Sequence, residues 1–357
     1  VNQILHDRLS AAFPDDGWLS EETADSAARL SRTRVWIVDP IDGTRSFVRG
    51  LPEFCLSVAL VENGVPAVAA IFNPATGEYL DGIWQFILGR KPVLPKIVKP
   101  GEWAFAPGEG TDFGIACGAG DNAAAGLGLG ADLGDVVVSL GTSGTVFAVT
   151  ETRVEDPSGT VAGFASASGS FLPLVCTLNA ARVMDSFASL LSVSHEQLAD
   201  LALAADAGAG GSVVIPYFEG ERTPNLPDAK GAVLGLTLQN NTRENLARAA
   251  IEGMLCGLAD GFAVLKSHGV ASKRVLLIGG AAANPAVQVS AAQVFGVDIE
   301  IPALGEYVAD GAARQACYSL TGSAPAWPVE MQASVSADPH PEILQQYHAA
   351  QSSIYQS

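Results

Sequence analysis

The sequence predicts an α/β protein, and three stretches carry that expectation. Residues 135–150, DVVVSLGTSGTVFAVT, read as strand, tight glycine turn, strand. Residues 242–269, TRENLARAAIEGMLCGLADGFAVLKSHG, read as one long helix, with Thr242 as its N-cap, Glu244 in its first turn and Gly269 at its end. Residues 273–302, KRVLLIGGAAANPAVQVSAAQVFGVDIEIP, read as strand, glycine turn, helix, strand. With 357 residues, 48% of them hydrophobic, the chain is long enough for two domains with real cores.

Taken in order, residues 1–12 place Ile4, Leu5, Leu9 and Ala12 at helical spacing, which predicts an amphipathic helix. A polar loop leads to the strand RVWIVDP. Residues 54–80 hold two apolar strands joined at Asn63-Gly64, a strong hairpin signal, and a third strand is expected after the turn NPATGE. Between about residues 82 and 100 the character changes. The stretch GIWQFILGRKPVLPKIVKPGEW carries three prolines and four basic residues and shows no period of 2 or 3.6, so it marks a boundary. Beyond this boundary the sequence is Gly/Ala-rich and of α/β character. No period of 20 to 50 residues repeats, which excludes a solenoid.

Net charge is −18 and the pI is near 4.5, so neither a nucleic-acid backbone nor an anionic membrane is an expected partner. An acidic protein that handles phosphates must do so with local devices: backbone amides, helix N-termini and bound Mg²⁺. The five cysteines are scattered without a CxxC pair and fit buried thiols in a reducing cytosol, which points to a cytoplasmic location. No basic region followed by an apolar run opens the chain, and no run reaches the ~18 apolar residues of a membrane span. The first residue is Val rather than Met, from which we expect that the natural beginning lies further upstream.

The stretch WIVDPIDGTRSF (36–47) sets Asp39 and Asp42 three apart in a Pro/Gly turn after an apolar strand. Hard oxygen ligands in that arrangement suit Mg²⁺, and ester hydrolysis often uses two such ions. Asp39 and Asp42 could ligate neighbouring ions, the Ile41 carbonyl could add a ligand, Glu21 of LSEET could bridge, and Thr44 could orient the attacking water. The competing reading is that Asp-Pro and Asp-Gly are simply good turn formers. The wider pattern, WLSEET followed by WIVDPIDGTRSFVRGLPEFCLSVALVENG, resembles the inositol monophosphatase family. That resemblance implies metal positions at Glu21, Asp39, Ile41 and Asp42 and a water-positioning role for Thr44. It covers residues 1 to about 82, and the family's later Trp-Asp motif, whose Asp completes the metal site, has no counterpart: no Trp-Asp dipeptide occurs in the chain.

A second set of parts lies further along. IACGAGDNAAAGLGLG places Asp121 after a glycine turn and before a small-residue helix, where a carboxylate could take the proton of a substrate hydroxyl attacking a γ-phosphoryl group, or could cap the helix. SLGTSGT offers Gly141, Thr142, Ser143, Gly144 and Thr145, whose amides and hydroxyls could approach phosphate oxygens. In LLIGGAAANP, Gly279 and Gly280 leave room for a flat nucleoside and Asn284 could hydrogen-bond to it. In GERTP (220–224), Glu221 and Arg222 could form a structural ion pair. Single glycine turns are mostly structural. Their order, together with PYFEGERTPNLPDAKGAVLGL, ARAAIEGMLCGLADG and VADGAARQA, resembles the FGGY carbohydrate kinases from about residue 92 onward, and GDN points to the xylulokinase branch.

That resemblance implies an actin/hexokinase-type, ribonuclease H-like α/β domain at 101–357. It comes after the phosphatase-like α+β fragment at 1–82 and a junction at 83–100. It implies Asp121 as catalytic base, Gly141, Thr142, Ser143, Gly144 and Thr145 as the ATP phosphate loop, Gly279, Gly280 and Asn284 as the adenosine site, and GERTP (220–224) as a loop near the interdomain cleft, beside the alternative of a structural Glu221–Arg222 ion pair. The implied activity is phosphorylation of D-xylulose to xylulose 5-phosphate with ATP and Mg²⁺, weakened because the family's first domain, which brings the sugar, is represented only by its tail. Two alternatives stand beside it. One is a Mg²⁺-dependent phosphomonoesterase that would need a further acidic ligand such as Asp112 or Asp135. The other is a non-catalytic fusion that retains nucleotide binding and self-associates through incomplete domain faces.

Overall fold

The structure, a computed structural model, describes residues 2–20, 27–42, 55–63, 65–71, 98–108, 112–156 and 158–355. The chain divides into two compact units: Val1–Lys99 with Ala104–Gly114, and Pro100–Trp103 with Ile115–Ser357.

In the first unit, helix α1 (Asn2–Ala12) accompanies a sheet ordered β1 (Gly17–Ser20), β2 (Arg34–Asp42), β3 (Cys55–Glu62), β4 (Val65–Ile71). Strands β1 and β2 are parallel and the other pairs antiparallel. Leu5 and Leu9, one helical turn apart, meet Val38 and Val58, with Phe13, Trp18 and Trp36 around them. Arg34 grips Asp16 through two bonds of 2.9 and 3.0 Å, and the Trp36 indole donates to the same carboxylate. The β3–β4 hairpin turns at Asn63, whose φ of 52° is the left-handed conformation that Asn tolerates. The strand expected after NPATGE and nearly all of the junction lie outside the described residues.

The second unit is built on a seven-stranded sheet. Its strands are β5 (Asp135–Leu140), β6 (Gly144–Ala148), β7 (Ala162–Ala165), β8 (Phe171–Thr177), β11 (Arg274–Ile278), β12 (Ile299–Pro302) and β13 (Met331–Val335), ordered β13-β12-β11-β5-β6-β8-β7. Two short strands, β9 (Val213–Ile215) and β10 (Ala232–Leu234), pair separately. At the centre β11 runs parallel to both β5 and β12, and β6 is antiparallel to β5 and to β8.

Both faces of this sheet are covered, so the central strands carry apolar residues on consecutive positions, such as Val136–Val138 and Val275–Ile278, rather than only on alternate ones. Val136, Val138 and Leu140 belong to the large core formed with α3 (Ala181–Leu191), α4 (His195–Ala204), α5 (Arg243–Ser267), α6 (Pro285–Phe295) and α8 (Pro341–Ile354). Val137, Phe147, Leu174 and Leu276 point the other way, into a smaller core beside Leu129. Helix α5 agrees with its sequence signals: the Thr242 side chain accepts from the Asn245 amide at its start and Gly269 comes just after its end at φ 80°. On the opposite face α2 (Asp121–Gly128) crosses α7 (Tyr307–Thr321) backbone to backbone. A Cβ on Gly128 would stand 2.0 Å from the Tyr307 oxygen, and one on Gly311 would stand 1.9 Å from the Ala124 oxygen. Among the described residues no helix is long and apolar enough to cross a membrane.

Candidate functional site

The parallel register brings strand ends together. Ile278 pairs with Ser139, so β11 and β5 finish side by side, one entering Gly279-Gly280 and the other entering residues 141–143. The two turns touch through a contact only glycine allows. Gly279 has φ 94°, and a Cβ there would lie 2.4 Å from the Leu140 oxygen. Gly280, by contrast, faces open space where a Cβ would sit. Strand β8, running in the same direction as β5, ends at the same margin, where Thr177 pairs with Gly144 and Cys176 with Thr145.

Asp121 is the first residue of α2, and Gly120 takes the N-cap position. Its Oδ1 accepts from the Asn122 amide at 2.8 Å and from Asn122 Nδ2 at 3.1 Å, while Oδ2 carries no hydrogen bond among the described residues. Asn122 in turn accepts from the Thr145 hydroxyl at 3.2 Å. Asp121 is therefore tethered to the glycine turn through Asn122, a residue present in the GDN triplet but whose role the sequence alone leaves unassigned. Residues 141–143 are exposed, and the Gly141 carbonyl accepts from the amide of Ala181 at the start of α3. An exposed turn of amides and hydroxyls next to an open glycine shelf fits a nucleotide.

Asn284 caps α6: its Oδ1 accepts from the amides of Ala286 and Val287 at 2.9 and 3.2 Å, and its Nδ2 lies 3.4 Å from the His195 carbonyl. The structural ion pair that Glu221 and Arg222 could have made does not form. Glu221 is buried, and its carboxylate instead accepts from the amides of Leu178 (2.6 Å) and Arg222 (2.8 Å) and from Asn179 Nδ2 (2.9 Å). Neutral donors of the β8 end satisfy the charge, because the 220–224 loop folds back onto that strand. Thr223 completes the seam by donating to the Cys176 carbonyl at 2.9 Å. Burial pushes the Cys176 thiol up, and the adjoining Arg222 guanidinium opposes that rise.

The phosphatase-type residues are not gathered into a described site. Glu21 and Thr44 lie outside the described residues, and of Asp39, Ile41 and Asp42 only the backbone is described, within β2. The β2–β3 register slips between Asp39, opposite Ser57, and Asp42, opposite Cys55. Among the described residues no group of three or more His, Cys, Asp or Glu side chains could hold a metal ion. Asp135, considered as a further ligand, is buried and bonded to Arg274 at 2.5 Å.

A mixed sheet with two glycine turns and a tethered carboxylate at one margin is the actin/hexokinase-type framework of sugar kinases. The comparisons with known proteins agree: the C-terminal domain of the FGGY family of carbohydrate kinases matches residues 136–320, and the chain belongs to that family. The inositol monophosphatase family matches residues 1–90, so the chain joins segments of two families. A xylulose kinase of Streptomyces rubiginosus is 43% identical over 241 residues, covering 66% of this chain and 48% of the relative. The crystal structure of xylulose kinase from Bifidobacterium adolescentis superposes with a TM-score of 0.70 at 40% identity, covering 78% of this chain and 59% of that one. An inositol monophosphatase of Mesembryanthemum crystallinum is 38% identical over 82 residues, which is 22% of this chain and 30% of the relative. The chain thus spans about half the length of these kinases and less than a third of the phosphatase.

Proposed function

We propose that residues 101–357 form a nucleotide-binding kinase domain of xylulokinase type, preceded by a phosphatase-like fragment at 1–82 and a junction at 83–100. The observation that carries this reading is the chain of contacts from Asp121 through Asn122 to Thr145, set beside the Gly279 turn. Gly141 to Thr145 cradle the phosphates, and Gly279 and Gly280 admit the nucleoside, with Asn284 bordering it. Mg²⁺-ATP, when bound, supplies the phosphoryl group and the charge neutralisation its transfer needs. Asn122 holds Oδ1 of Asp121, which leaves Oδ2 to receive the proton of the attacking hydroxyl of a sugar such as D-xylulose.

Turnover is weak in this reading, because holding sugar and γ-phosphate together supplies much of the rate and the residues directly preceding the kinase segment match another family. The test is ADP release from Mg²⁺-ATP with and without D-xylulose, alongside calorimetric titration with ADP. We expect nucleotide binding with little sugar-dependent ADP release. Brisk sugar-dependent release would overturn the impairment, and absence of nucleotide binding would overturn the reading as a whole.

A further inference from the structure

At the sheet margin that carries the site, the Arg222 guanidinium forms no ion pair among the described residues. Arg222 projects from the 220–224 loop, which Glu221 and Thr223 fasten to the end of β8. Glu221 has spent its oxygens on Leu178, Asn179 and the Arg222 amide, and among the described residues no acidic side chain ion-pairs with the Arg222 guanidinium. The nearby Arg182, by contrast, is bound to Glu219 at 2.5 Å. Arg222 is exposed, its neighbour Thr223 donates to the Cys176 carbonyl at 2.9 Å, and Cys176 pairs in register with Thr145. In a chain of net charge −18, an unanswered guanidinium beside a turn of amides and hydroxyls is a place for an anion.

The order of the strands says which anion. Along the margin come the Gly279 turn at the end of β11, the 141–143 turn at the end of β5, Thr145 on β6, and Cys176 on β8. Arg222 therefore lies on the far side of the phosphate turn from the nucleoside shelf, on the side where Thr145 is tethered towards Asp121. A nucleotide laid across these turns would bring its last phosphate to that side. We infer that Arg222 is a ligand of the γ-phosphate and makes the site prefer ATP over ADP; the inference rests on the nucleotide reading above.

Calorimetric titration of the full chain with Mg²⁺-ADP and with the β,γ-imido analogue of Mg²⁺-ATP tests it. R222A is expected to lose about tenfold or more in affinity for the triphosphate, as removal of a charge-assisted contact does, while ADP affinity changes by less than about twofold. R222K should recover part of the loss. Should R222A fail to fold by circular dichroism, R222Q and R222K carry the same comparison. Equal weakening towards both nucleotides, or none towards either, overturns the inference and leaves the nucleotide reading standing. Failure of the unaltered chain to bind either nucleotide overturns both.

Discussion

Asp156 shows how one side chain organises a loop. Burial pushes its carboxyl up, but the Ser158 hydroxyl, the amides of Val161 and Ser158, and His268 together hold it down at about 2, below the ordinary 3.8. A folded-state value below the unfolded one means stability that is present above pH 4 and lost as the pH falls towards 2. Asp156→Asn is expected to lower stability by about 1–2 kcal/mol at pH 7, with the difference from the unaltered chain shrinking by pH 2.5. Urea titrations at the two pH values check it; an undiminished difference at low pH would refute the charge-based account. The same scale shows where sequence reading stops. Asp121, Gly279 and the 141–145 turn announce themselves through residue type and local order. The partners of Glu221 do not, since Leu178 and Asn179 stand more than forty positions away and no local pattern links them.

Among the elements, α5 is the most legible in the sequence, because capping and termination are local events: Thr242, Glu244 and Gly269 sit where a helix end needs them. The β3–β4 hairpin is legible for the same reason, through Asn63-Gly64. The order of the seven strands is not, since it depends on which apolar strands meet across the chain. Nor is the α2–α7 crossing. Its glycines look like ordinary small residues in GLGLG and VADGAARQA until the backbones are seen to touch. A methyl group on Gly311 would have to push the Ala124 carbonyl aside, so Gly311→Ala is expected to destabilise the second unit by about 3 kcal/mol, measured by chemical denaturation. A change of less than about 1 kcal/mol would mean the helices part easily. Within α5 itself, Arg248 and Glu252 form a buried ion pair at 2.6 Å, with the Gly208 amide also donating to Glu252. Burial raises the Glu252 pKa, and the guanidinium works against that rise.

At the scale of the molecule, the two units carry unequal chemistry. The phosphatase-like segment has its Asp-Pro and Asp-Gly steps, but no Trp-Asp motif occurs anywhere in the sequence. Incubation of the chain with Mg²⁺ and inositol 1-phosphate is expected to release no phosphate above background, in the unaltered chain and in D42N alike. Release that vanishes in D42N would restore the phosphatase reading. In the second unit the central parallel pairing has a temporal consequence. Arg274 bonds to Asp135 across 139 positions of sequence, whereas β5 and β6 close on each other through a three-residue turn. On the ribosome the 141–143 turn therefore takes shape early, while the strand that sets the Gly279 turn beside it is made 139 positions later. Until β11 emerges, β5 presents an apolar, unpaired edge, and a chain stalled at that stage would be a substrate for chaperones.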